Sequence, residues 1–288
     1  MTQELVNFGR QLFSSADLDR IYLALLKLRL DRDQLARWLV AYWAFYNAGF
    51  ACYASEQSGE NFWKLMAIAA DNRSPTPFGE RWPRGAERRH FRGHAAIKAV
   101  EALRDRYGDR PEDMLDYLVD GPMDVGAVIK RARMHVSFGS WIGFKVADMI
   151  DAVWLSGCVG QDDLSLFLYA APRRSIEQCY SLGTLSLPNP NIDRFEFAMR
   201  WLADQLGECR VPHKPESAPD WFSLETVFCK HLSHTHGHYP LLKDTKEITH
   251  GIKPWMTCSA TARKFALCLP MGLRGNDATP ETIICPAA

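Results

Sequence analysis

An all-helical fold is what this sequence predicts, and three observations carry the prediction. Apolar residues recur at helical spacing through most of the chain, alternating strand-like runs are scarce, and polar capping residues stand where the helical runs begin. The chain has 288 residues, 47% of them hydrophobic, so composition allows a sizeable core. The tail from Gly275 is Pro-rich and is expected to be irregular.

In chain order, the first expected helix covers residues 14–30, with Leu18, Ile21, Tyr22, Leu25, Leu26 and Leu28 on its apolar face and polar caps at Ser14–Asp19. Asp31 or Asp33 caps a second helix over residues 34–56, apolar on nearly every side and therefore central; Asn47 inside it reads as a core hydrogen-bond post or a ligand contact. Short helices follow at 61–70, 95–106, 112–118 and 124–135. Residues 162–173 hold a short helix ending near Pro172, and 175–182 another. The break Leu187-Pro188-Asn189-Pro190-Asn191 is the best hinge candidate, separating residues 1–187 from residues 188–288, unless the two form one continuous domain. Residues 192–206 and Trp221–Thr235 are helical, with a Pro-rich linker between them. Helical rhythm fades after Asp244, and Ala260–Cys268 is a last short helix.

Net charge is zero, so a chain-wide nucleic-acid coat is not implied and any DNA contact must be local. The N-terminus lacks a leader's apolar run, and the apolar stretch 39–54 is too short to span a bilayer, so no membrane role is expected. Eight cysteines without CxxC spacing read as reduced thiols.

Three stretches carry chemistry. Residues 81–98 hold five arginines, two histidines and a lysine, and run from a turn-rich segment into a helix start. Arg81, Arg84, Arg88, Arg89 and Arg92 suit phosphate or DNA, because guanidinium forks match phosphate oxygens. The second stretch, Val136 to Asp151, has a Gly-bearing turn entering a helix. It resembles the helix–hairpin–helix element of DNA-repair glycosylases, although Gly139 and Gly143 stand further apart than in the usual hairpin, and a helix packed closely through glycine is the competing reading. The third, Glu225 to Asp244, contains Cys229, Lys230 and four histidines within eight residues; one helix cannot easily supply three ligands to one ion, so catalytic or phosphate-binding use of Lys230, His234 and Asp244 is expected ahead of a metal site.

In order, YWAFYNAGFACYASE, FWKLMAIAADN, PTPFGERWPRGAERRHFRG, GSWIGFKVADMID and CKHLSHTHGHYPLLKD resemble segments of the phage α-glutamyl/putrescinyl thymine pyrophosphorylases, also described as amino acid:DNA transferases. The resemblance spans roughly residues 35–245. It implies an all-helical fold akin to the helix–hairpin–helix glycosylases, action on duplex DNA in the cytoplasm of an infected bacterium, and no cofactor. The implied reaction replaces the phosphoryl or pyrophosphoryl group on a hydroxymethyluracil in DNA with the amine of an amino acid or polyamine.

That chemistry needs cations for the departing anion, supplied by the arginine loop and Lys145. It needs a flipped, stacked base, for which Trp82, Trp43 and Tyr46 are candidates beside Tyr42. It needs a base for the amine, with Asp148, Asp151, Glu225 and His234 as candidates. Cys229 beside Lys230 is the place for an activated thiolate. The alternatives are a helix–hairpin–helix glycosylase or lyase using Lys145 or Asp148, and a non-catalytic phage DNA-binding protein.

Overall fold

The structure is a computed structural model and describes residues 2–15, 17–85, 88 and 91–269. Among them every regular element is a helix; the only β-type pairing is two isolated bridges, Asp124 with Gly160 and Val211 with Lys214.

The chain opens with α1 (Thr2–Ser14), a helix not expected from the sequence, where this segment reads only as the lack of a leader. Its Leu5, Phe8 and Leu12 are buried, and α1 lies against a later helix, α12 (Trp221–Thr235). Next, α2 (Arg20–Leu28) is shorter than expected: Asp19 is its N-cap residue, but the Asp19 carboxylate makes no capping bond.

The expected central helix is two helices, α3 (Arg32–Phe45) and α4 (Ala48–Ser55). Every residue of α3 from Trp38 to Phe45 is buried, so its central place is as expected. The break lies at Tyr46, which turns left-handed at φ 53°, and at Asn47, whose Oδ1 accepts the Phe50 N–H at 2.8 Å. Asn47 is thus an N-cap rather than a mid-helix post. The apolar run is continuous across the break, so periodicity alone conceals it. Gly49 then allows close approach: a Cβ there would lie 2.1 Å from the Trp255 indole.

The helices α5 (Gly59–Asp71) and α6 (Gly93–Tyr107) pack on each other, as do α8 (Val125–Arg133) and α9 (Ser140–Met149) after the short α7 (Asp113–Val119). A Cβ on Gly143 of α9 would stand 3.2 Å from Ile129 Cγ2 of α8, so this glycine serves close helix packing. Beyond Met149 the helix continues as a π turn, Ile150–Trp154.

α10 (Ala170–Ser181) starts earlier than expected and holds Pro172 in its first turn, where the ring displaces no hydrogen bond. α11 (Arg194–Gln205) and α12 follow, close to their expected spans. The segment after Asp244, expected to lose helical rhythm, is α13 (Lys243–Ile252). Its start is held from far away: Asp17 accepts the Leu242 N–H and the Thr245 hydroxyl, both at 2.8 Å. Finally α14 (Ala260–Cys268) is capped by Ser259 and packs on α2 and α4. One buried apolar cluster runs from Leu5 to Leu269.

Candidate active site

The backbone places the arginine loop against two helix ends. The last turn of a helix leaves carbonyls without partners, and this loop supplies donors to them. Gly85 N–H reaches the Phe45 carbonyl at 3.0 Å and Arg88 Nε the Ala44 carbonyl at 3.2 Å, both at the end of α3. Arg84 Nη2 reaches the Ala69 and Ala70 carbonyls, at 2.6 and 3.2 Å, at the end of α5.

These contacts divide the five arginines. Arg88 is fully buried, its Nη1 also bonded to the Ser137 carbonyl at 2.9 Å and its guanidinium over Phe91, so it is a structural clamp rather than a surface phosphate ligand. Arg84 is half-buried and lines a cleft. Burial, with the charge of Arg92 nearby, pulls Arg84 down to about 10, which leaves it cationic at neutral pH. No carboxylate pairs with Arg84 among the described residues. Arg81 and Arg92 are exposed, and Arg89 lies outside the described residues.

The cleft measures about 280 Å³ and is walled by α2, the α3–α4 junction, Lys145 of α9 and α13. Its aromatic lining is Tyr22, Tyr42 and Tyr46; the last two rings are 4.6 Å apart, and Tyr46 meets Trp141 of α9 at 5.2 Å. Of the three aromatics expected to stack a base, only Tyr46 reaches the cleft. Trp43 is wholly buried with its indole N–H on Met149 Sδ, and Trp82 packs on Phe50 and Trp255 with its indole N–H on the Ser74 carbonyl. Both indoles fill the core, where their area is worth more than at a solvated surface.

Lys145 lines the cleft. Its ammonium donates to Asp148 at 2.6 Å and to the Tyr22 hydroxyl at 2.7 Å, and lies 3.6 Å from Asp19. The Tyr22 hydroxyl also bonds Asp148. Burial works against the charge on Lys145, but Asp148, Tyr22 and Asp19 together hold its pKa well above the ordinary lysine value. A lysine held protonated in this way is a poor nucleophile, which counts against a lyase that attacks through Lys145. Asp19, by contrast, is pushed up to about 7, first by burial and further by Asp148 and Asp244 against the pull of Lys145 and Lys230.

Glu225 is buried beside Tyr169 and is also pushed up to about 7, chiefly by burial. Cys229, expected to favour a thiolate, is instead pushed up to about 12, because burial and the nearby Glu225 outweigh Lys230. Lys230 braces the backbone ahead of α2: its ammonium donates to the Asp17 and Leu18 carbonyls at 2.6 and 2.9 Å and pairs with Asp244 at 2.7 Å.

Two further candidates stand apart from the cleft. Asp151 is buried in an ion pair with Lys214 and accepts the Val159 N–H at 3.0 Å. His234 stacks on Phe8 at 4.5 Å with Nδ1 2.8 Å from the Tyr239 carbonyl. Among the described residues no three His, Cys, Asp or Glu side chains gather in a metal-binding arrangement.

Asp19, Arg20 and Tyr22 are cleft residues to which the sequence assigns no chemistry. In the sequence Asp19 reads as a helix cap, and only the packed structure shows a cap whose carboxylate makes no capping bond.

The geometry therefore offers a cleft with a stacking wall, a cationic edge and an acid near neutrality. Residues 10–239 match the family model described as amino acid:DNA transferase. A protein of Pseudomonas phage PaMx11 named glycinyltransferase is 41% identical over 283 residues, covering 91% of this chain and 94% of the relative. The all-helical fold and both comparisons agree with the resemblance seen in the ordered sequence segments, and the chain belongs to the amino acid:DNA transferase family, transferases of phage DNA hypermodification.

Proposed function

We propose that this cleft joins the amine of an amino acid to a phosphorylated 5-hydroxymethyl pyrimidine flipped out of duplex DNA, in the cytoplasm of a phage-infected bacterium. The observation that carries the reading is the pairing, in one cleft, of a cation without a carboxylate partner among the described residues (Arg84) with an acid near neutrality (Asp19). The flipped ring stacks on Tyr46, the half-buried aromatic at the α3–α4 junction, which Tyr42 backs from the core. The N–H groups at the start of α9, brought beside the cleft by the Trp141–Tyr46 contact, hold the DNA backbone.

In the reaction the amine nitrogen forms a bond to the base's methylene carbon while the carbon–oxygen bond to phosphate or pyrophosphate breaks. Arg84, with Arg92 nearby, stabilises the departing oxyanion. Asp19 takes the proton from the amine. Lys145 and Asp148 are positioning residues that set where the Asp19 carboxylate sits and how readily it ionises. The relative named glycinyltransferase supports a small amino acid, rather than a polyamine, as donor.

The test is mass spectrometry of nucleosides after incubating phosphorylated hydroxymethyluracil DNA with the protein and candidate amines. A new amine-bearing thymidine is expected, and an unchanged base would sink the reading. Turnover should climb as pH rises through about 7, where Asp19 ionises. Asp19→Asn should lower it about 10²- to 10⁴-fold and remove that limb; a variant keeping both rate and limb would exclude Asp19 as the base.

A further inference from the structure

Arg20 is the first residue of α2 and lines the cleft next to Asp19, yet it is only 6% exposed. Its Nη2 donates to the Ser15 carbonyl. Nε and Nη1 are buried and make no hydrogen bond among the described residues. The nearest carboxylate oxygen, Asp17 Oδ1, is 4.0 Å from Nε. Asp17 is already committed: it accepts the Tyr239 hydroxyl at 2.9 Å, the Leu242 N–H at 2.8 Å and the Thr245 hydroxyl at 2.8 Å. A buried guanidinium with two unused donors is costly, and native structures rarely keep one without a purpose. A fork of this kind matches a carboxylate.

The surroundings choose among anions. Arg20 shares the cleft with Asp19, Asp244 and Glu247. Arg84, which lines the same cleft without a carboxylate partner among the described residues, takes the phosphate, whereas a zwitterion beside Asp19 and Arg20 meets both signs. The adjacent Asp19 and Arg20 offer an acid and a fork on neighbouring residues, as an α-amino acid carries its amine and carboxylate on one carbon.

We propose that Arg20 binds the α-carboxylate of the donor amino acid, presents its amine to Asp19, and so selects amino acids over polyamines. A polyamine has no anionic end and would leave the Arg20 donors unused. This inference rests on the transferase reading above.

The experiment compares glycine, glycinamide and putrescine as donors to phosphorylated hydroxymethyluracil DNA. With the native protein, glycine should exceed glycinamide in kcat/KM by about 10-fold or more. Arg20→Gln should lose about 10- to 100-fold on glycine, mainly in KM, and leave glycinamide unchanged. Equal use of the two donors by the native protein, or equal losses in the variant, would overturn the proposal.

A second arm needs no DNA. Glycine should raise the melting temperature of the native protein, glycinamide should not, and Arg20→Gln should abolish the glycine shift. A glycine shift that survives in Arg20→Gln would overturn the carboxylate subsite. If no amine is transferred at all, the transferase reading fails, while this thermal arm still judges the subsite by itself.

Discussion

Two half-buried lysines, Lys145 and Lys214, each sit between carboxylates, one of which comes from the same stretch of chain in both cases, and only Lys145 opens onto the cleft. Lys214 pairs with Asp151 of the π turn and with Asp220 at 3.2 Å. The network around it is closed. Asp151 also takes the Val159 N–H, and Asp220 caps α12 in a capping box with Ser223, which with Lys214 offsets burial and lowers the Asp220 pKa. Lys145 pairs with Asp148, three residues earlier in sequence than Asp151, but its second acid, Asp19, lies 3.6 Å away and shares the cleft. The lesson is that an ion network closed on its own members is scaffold, whereas one that borders a cavity is placed to do chemistry. Asp148 and Asp151 look alike in sequence, and their second partners separate them.

The comparison can be broken most sharply by Lys214→Met. Removing one partner of a buried pair leaves a charge uncompensated, so a loss of about 3–5 kcal/mol in urea unfolding is expected. Turnover per folded molecule should hold, and a large activity loss without a stability loss would reverse the roles of the two lysines.

Glu225→Gln tests the same contrast by pH. The folded Glu225 is pushed up to about 7 from an ordinary value of 4.5. Between those values the unfolded chain ionises while the folded one stays protonated, so the native protein loses stability as pH rises through this window and levels off above it. The glutamine variant should show a shallower slope and melt a few degrees higher at pH 8. A lower melting temperature at pH 8 would mean that the Glu225 carboxylate is stabilised, not strained.

The smallest effect belongs to His234→Ala. Its ring caps a local turn and stacks on Phe8. A loss of about 1 kcal/mol is expected, with turnover nearly unchanged; a loss of turnover beyond tenfold would restore His234 as a catalytic residue.

How much was legible follows the range of the interactions involved. α12 and α14 could be read because their apolar faces lie within the helices themselves. The break at Asn47 was hidden because α3 and α4 are both apolar and both buried. α13 was hidden because its start depends on Asp17, more than two hundred residues earlier. The arginine loop was legible as a cationic stretch, but not in its division between clamp and cleft. Arg88 bonds the Ala44 and Ser137 carbonyls, neither of which is near it in sequence.

By itself the sequence determined the helical class, the central buried helix and, through its ordered segments, the family, because these rest on local periodicity and on short motifs. The tertiary structure decided which acid and which arginines face the cleft. Tyr22 meets Asp148 across 126 positions, and Lys230 holds the Asp17 carbonyl across 213. Ionisation and hydrogen-bond satisfaction depend on what surrounds a group in space, and the burial of Arg20 and the approach of Lys145 to Asp19 exist only once the helices are packed.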